Sequence, residues 1–194
     1  MPRSRDVGAQ AAGGGAVALP GPPSTLPEAR AHVDFDQLVA AEKDALLGLA
    51  FALTGSRAAA EDLTQEAFLR LHQRWARVAT YDRPGAWLRR VVLNLATSRA
   101  RRLAAEARAI ARLGREGRVS HRGLGSEAAE FWSAVRELPR RQRQVLALYY
   151  VEDRPVSDVA EILGLAEGTV RAALHQGREH LRVRFGAPSD EETR

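Results

Sequence analysis

The chain has 194 residues, 45% of them apolar, which is enough for one domain or two small ones with real cores. It contains no cysteine, which excludes disulfides, thiolate metal sites and a cysteine nucleophile and is compatible with a reducing compartment. The net charge is +5, and Lys43 is the only lysine among 29 basic residues, so cationic contacts fall to planar arginine forks suited to phosphate and carboxylate.

Residues 1–32 include GGGAVALPGPPSTLP, too rich in glycine and proline for an apolar helical leader, and are expected to be a disordered tail. The longest apolar run, Ala45 to Leu53, carries Gly48 and falls far short of the ~20 residues a membrane span needs. From Asp34 the pattern turns helical. Phe35, Leu38, Val39, Leu46, Leu49, Ala50 and Leu53 predict a first helix that stops at Thr54-Gly55, with Ser56 capping the next. That second helix extends to about Trp75. Leu63, Ala67, Phe68, Leu71 and Trp75 point inward, while Glu61, Asp62, Gln65, Glu66 and Arg70 form an outward face. Glu66 and Arg70 are four apart, as a local ion pair requires, and an acidic face alone is ordinarily solvated surface.

After a loop at Tyr81-Asp82, Pro84 and Gly85 begin a third helix, PGAWLRRVVLNLATSRARR. Six arginines and no carboxylate lie between Arg83 and Ala105. Leu88, Val91, Val92 and Leu95 form its buried side, and Trp87, Arg90, Asn94, Ser98 and Arg101 share another face. A ring, arginines and amide or hydroxyl groups together suit a nucleic-acid backbone and unstacked bases. The competing reading makes Trp87 a core anchor and the arginines surface filler. Residues 105–126 lose the apolar periodicity, carry Arg108, Arg112, Arg115, Arg118 and Arg122, and end in HRGLGS, which predicts a linker.

The linker divides the chain into a first helical domain, 33–104, and a second, 127–185, followed by a tail at 186–194. A helix resumes at Glu127 to Leu138, and Pro139 starts another, with Val145, Leu146, Leu148 and Tyr149 inward. The stretch Val156 to Arg182 then has the spacing of a helix-turn-helix. Ala160 allows a close crossing, Gly164 can turn left-handed, and Val170 plugs the joint beside Val159, Leu163 and Leu165. Ser157 is the expected N-cap of its first helix, and the second starts near Glu167. Val170, Leu174, Gly177 and Leu181 would face inward, leaving Arg171, His175, Arg178 and Arg182 as an exposed cationic stripe for phosphates and base edges. A plain amphipathic hairpin meets the charge pattern but does not require the alanine, glycine and valine spacing. No strand pattern, βαβ alternation or repeat occurs, so the expected class is all-α, two small helical domains joined by a flexible linker.

The order of these segments resembles the bacterial RNA polymerase sigma factors of the sigma-70 family, extracytoplasmic-function group, across residues 34–185. AEDLTQEAFLRLHQRW looks like that family's region 2.2, WLRRVVLNLATSRARR like regions 2.3 and 2.4, and Leu138 to Arg182 like region 4. The run Arg-Arg-Val-Val-Leu-Asn-Leu-Ala is similar to an actinobacterial sigma-E-like branch. The resemblance implies that Glu61, Asp62, Gln65 and Glu66 dock on the β′ clamp helices of core RNA polymerase, whose β flap is a second contact. It implies a −10 element surface of Tyr81, Trp87, Arg89, Arg90, Asn94, Ser98, Arg99, Arg101 and Arg102. It implies a −35 element surface of Thr169, Arg171, Ala172, His175, Gln176, Arg178 and Arg182. Ser98 stands where the family often has Asp, and Ala172, Ala173 and Gln176 stand where its recognition helix is often more basic.

The implied function is promoter recognition and melting in the cytoplasm, with core polymerase and promoter DNA as partners and an anti-sigma factor as an open question. A helix-turn-helix regulator acting without replacing sigma is the alternative; its usual receiver or ligand domain contains a sheet, and no strand pattern is present. A DNA-acting enzyme is the third class. The five histidines are scattered, and the glycines at 13–15 lack a following Gly-Lys-Ser/Thr, so no catalytic residue, metal or cofactor is expected.

Overall fold

The computed structural model describes residues 34–112 and 126–186, and these form eight helices and no strand. The expected tails, and residues 113–125 of the expected linker, lie outside the described residues.

Helix α1 (Phe35–Thr54) begins where the Asp34 carboxylate accepts the Gln37 N–H at 3.2 Å, and ends at Gly55, whose φ of 68° lets its N–H reach back to Phe51 O at 2.7 Å. Ser56 then caps α2 (Arg57–Gln73) by accepting the Ala59 N–H at 3.3 Å, as the sequence predicts. The second helix stops two residues short of the expected end. Arg74 leaves helical geometry, and Trp75 opens a separate turn, α3 (Trp75–Val78), where its ring meets Phe35 edge-on at 5.3 Å.

Pro84 occupies the first position of α4 (Pro84–Arg112), where its missing N–H costs nothing. This helix continues eight residues past the expected domain end at 104. Its last turns are exposed but rich in alanine, arginine and glutamate, so loss of apolar periodicity marks the end of burial and not of the helix. Beyond the gap come α5 (Ser126–Glu137), α6 (Arg140–Tyr150), α7 (Val156–Leu163) and α8 (Glu167–Phe185).

The start of α7 corrects one expectation: Ser157 lies inside the helix, and extended Pro155 is the cap residue, its carbonyl accepting the Val159 N–H at 3.0 Å. The turn into α8 follows the sequence. Gly164 takes φ 63°, donating to Glu161 O at 3.2 Å while Leu165 N–H reaches Ala160 O at 2.9 Å, the paired bonds of a Schellman end. Ile162 joins Val159 and Val170 as a fully buried side chain of that joint, and Leu163 and Leu165 pack against it half-buried.

One continuous buried cluster runs from Leu38 on α1 to Leu181 on α8. Helices α1, α2 and α4 pack together, and α6, α7 and α8 do the same. The groups also meet each other, α1 against α5 and α6, and α4 against α7. That second set of contacts sets the state of the candidate site.

Candidate nucleic-acid interface

Helix α8 presents the expected division. Val170, Leu174, Gly177 and Leu181 are buried, whereas Thr169, Arg171, Ala172, His175, Gln176 and Arg178 are exposed and Arg182 is half-exposed. Arg171 reaches Glu167 at 2.6 Å and Arg182 reaches Glu179 at 2.5 Å, both exposed pairs within the helix that a phosphate can displace. Arg178 is more fixed: its Nε donates to Tyr150 Oη at 2.7 Å, and its guanidinium lies 5.5 and 5.6 Å from the rings of Tyr149 and Tyr150. That hydrogen bond pushes its pKa further up. Gln176 accepts from Gln142 Nε2 at 3.3 Å, which orients its amide.

The predicted surface on α4 divides into three groups. Ser98, Arg101 and Arg102 are exposed, with Arg102 facing Glu106 at 3.6 Å, and Tyr81, Asn94 and Arg99 are half-buried. Trp87 and Arg89 are buried in this arrangement. Trp87 is 7% exposed within the core cluster, so the competing core-anchor reading holds for it. Arg89 is 2% exposed; it pairs with Glu42 at 2.8 Å and with Glu152, and donates to Gly85 O at 3.0 Å. Burial pushes the Glu152 carboxyl up, against the pull of Arg89 and Arg154.

Arg90 is the third departure. Its Nε donates to Ile162 O and its Nη2 to Glu161 O, both at 2.7 Å, so it caps the C-terminal end of α7, where a cation is favoured. Burial lowers its pKa, without removing the charge. Just before α4, Arg83 forks onto Asp158 and Glu161, each at 2.5 Å, and Gln144 Nε2 donates to Thr97 Oγ1 at 3.3 Å. In this arrangement the arginine donors at and just before the start of α4 are taken up by α7, by Glu152 in the α6–α7 connection and by Glu42 on α1. Sequence reasoning missed Arg83, Glu152, Asp158 and Glu161 because these partners are 63 to 78 residues apart. The available signal was a carboxylate, Glu152, directly after the apolar run LALYYV.

On α2, Asp62 and Gln65 are exposed and Glu61 and Glu66 partly so. Glu66 pairs with Arg70 at 2.8 Å as the spacing predicts, and Glu61 pairs with Arg57 at 2.9 Å. Among the described residues Asp62 has no ion pair, so the four residues form an outward patch that includes one uncompensated carboxylate. Among the described residues no helix is long and apolar enough to cross a membrane.

Models of two families match the chain: Sigma-70 region 2 over residues 38–106 and Sigma-70 region 4 over 128–181. An RNA polymerase sigma-E factor of Streptomyces antibioticus is 32% identical over 155 residues, covering 77% of this chain and 83% of that protein. A probable RNA polymerase sigma factor, RfaY, of Xanthomonas campestris pv. campestris is 33% identical over 171 residues, which span 81% of this chain but 42% of that protein. Among solved structures, the complex of the sigma factor RpoE with the anti-sigma factor NepR from Bartonella quintana shares the fold, with a TM-score of 0.64 at 24% identity over 80% of this chain and 98% of that chain. The helix-turn-helix with its cationic face, the arginine-rich helix, the acidic patch and these likenesses agree: the chain belongs to the RNA polymerase sigma factor family, in its extracytoplasmic-function group.

Proposed function

We propose that the chain docks on core RNA polymerase through Glu61, Asp62, Gln65 and Glu66 of α2, reads the −35 element with Thr169, Arg171, Ala172, His175, Gln176, Arg178 and Arg182 of α8, and binds and melts the −10 element along α4. One observation carries the reading: a single chain bears an outward carboxylate patch on α2 and two separate cationic surfaces, on α4 and α8. A regulator that does not join polymerase needs only the last of these. The −10 surface comprises Tyr81, Asn94, Ser98, Arg99, Arg101 and Arg102, joined by Arg90 once α7 moves off it; Trp87 and Arg89 support it from beneath. Melting requires a surface that offsets the exposure of each base by ~1–3 kcal/mol of stacking or pocket binding.

In this reading the chain acts in the cytoplasm, where core polymerase works, and an anti-sigma factor, such as the one bound in a solved complex of the same fold, is a further partner. Residues 33–104 and 127–185 serve as the two working domains of this scheme, joined by 105–126.

The test is transcription in vitro with core polymerase on genomic DNA, reading start sites. Asp62→Lys with Glu66→Lys, on an exposed face, should abolish co-purification with core while leaving the circular-dichroism spectrum unchanged. Asn94→Ala with Arg101→Ala should keep core binding but block the permanganate-reactive bubble. Unchanged co-purification refutes the docking face, and unchanged opening refutes α4 as the melting surface.

A further inference from the structure

A cleft that shares only Arg99 with the three proposed surfaces has the chemistry of an anion site. It is a cavity of about 270 Å³ whose lining includes Leu53, Ser56, Arg99, Leu103, Arg136 and Arg143, drawn from α1, α4, α5, α6 and the start of α2. Arg136 crosses from α5 onto the turn between α1 and α2, so close that a Cβ on Gly55 would stand 2.6 Å from its Cζ. Arg143 is anchored by donating through Nη1 to Arg136 O at 2.8 Å, which fixes its guanidinium at the cleft. The Ser56 cap brings the positive end of α2 to the same place.

Among the described residues no carboxylate pairs directly with these charges, and Glu137, which pairs with Arg184, acts on Arg136 only from a distance. Nine other arginines form ion pairs with carboxylates within 4.0 Å, but among the described residues none pairs with Arg99, Arg136, Arg140 or Arg143. Burial lowers the pKa of Arg136 and Arg143, and at Arg143 the neighbouring Arg140 and Arg136 add to the effect. Arg140 Nε is buried with no hydrogen-bond partner among the described residues. Half-buried positive charge of this kind is unfavourable until an anion neutralises it.

We propose that the cleft binds a compact phosphate-bearing anion through Arg99, Arg136 and Arg143. Arginine forks match phosphate geometry, and the volume lies just below the about 300–1,000 Å³ of sites for drug-sized ligands, so the occupant is small and a duplex can meet only the mouth. Because the lining comes from both α1–α4 and α5–α6, a bound anion also favours the arrangement in which Arg83 and Arg90 hold α7.

The experiment is isothermal titration of the full chain with inorganic pyrophosphate at fixed ionic strength, without polymerase or DNA, so that its failure leaves the promoter reading untouched. The expected result is one site per chain, with affinity at least about 10-fold weaker in Arg136→Gln/Arg143→Gln. Ala100→Leu fills the cavity while keeping every arginine and should weaken binding to the same degree; Arg77→Gln, an exposed cation on α3, should bind like the parent. Circular dichroism checks that each variant is folded. Absence of saturable heat, equal loss in Arg77→Gln, or parent-like binding by Ala100→Leu overturns the site.

Discussion

Removing the Arg89 guanidinium tests what holds α4 against the α6–α7 connection. Its side chain is 3% exposed and bridges Glu42 and Glu152, whose side chains are 17% and 1% exposed. Arg89→Met strands Glu152, whose nearest remaining cation is Arg154 Nε at 3.5 Å. One-sided loss of a buried pair costs ~3–5 kcal/mol, and the help of Arg154 together with the access of Glu42 to water places this case near ~3 kcal/mol. Glu152→Gln leaves Arg89 with Glu42 and Gly85 O, and burial already disfavours the Glu152 charge, so that variant should lose only ~1–2 kcal/mol. The double variant Arg89→Met/Glu152→Leu removes the stranded charge and should recover most of the loss. Urea unfolding followed by tryptophan fluorescence measures all three. With slopes of ~1–3 kcal/mol/M, Arg89→Met should lower the midpoint by ~1–3 M. A shift below ~0.3 M, or a double variant no better than Arg89→Met, refutes the buried-pair account.

The Arg83 hydrogen bond holds the Asp158 carboxyl below its ordinary 3.8. Its contribution is therefore complete above that value and lost as pH falls through the lowered one, a step that should vanish from the acid-unfolding profile of Asp158→Asn and shrink at high salt. Two glycines of α8 should respond oppositely to alanine. At Gly177 a Cβ would stand 2.8 Å from Cδ1 of fully buried Leu146, an overpacking cost of ~1–3 kcal/mol only partly offset by helix propensity. Gly168→Ala meets nothing within 4 Å and should leave thermal stability equal or higher, so reversed melting temperatures would refute the packing. Arg171→Ala should cost ~1–3 kcal/mol on a −35 duplex with relaxed preference at one base, read by competition binding; an equal loss on all sequences makes Arg171 a phosphate clamp.

The sequence by itself determined whatever depends on neighbours along the chain. Gly55 and Gly164 end their helices, and Ser56 caps α2, because those conformations are set within a few residues. The inward stripe of α8 and the Glu66–Arg70 pair follow from helical period alone. The acidic and arginine-rich character of α2 and α4 was likewise visible as composition on a face. Tertiary structure decided which side of α4 is buried twice. The arginines of α4 carry the same charge in sequence, yet Arg89 lies under Glu42 and Glu152 while Arg101 is exposed, because burial depends on what packs from distant parts of the chain. Trp87 follows the same rule, since a large ring on the edge of an apolar stripe goes to whichever neighbour covers it. Arg99, Arg136 and Arg143 come to the Gly55 turn from α4, α5 and α6, all distant from it in the chain, and only their convergence makes them a site.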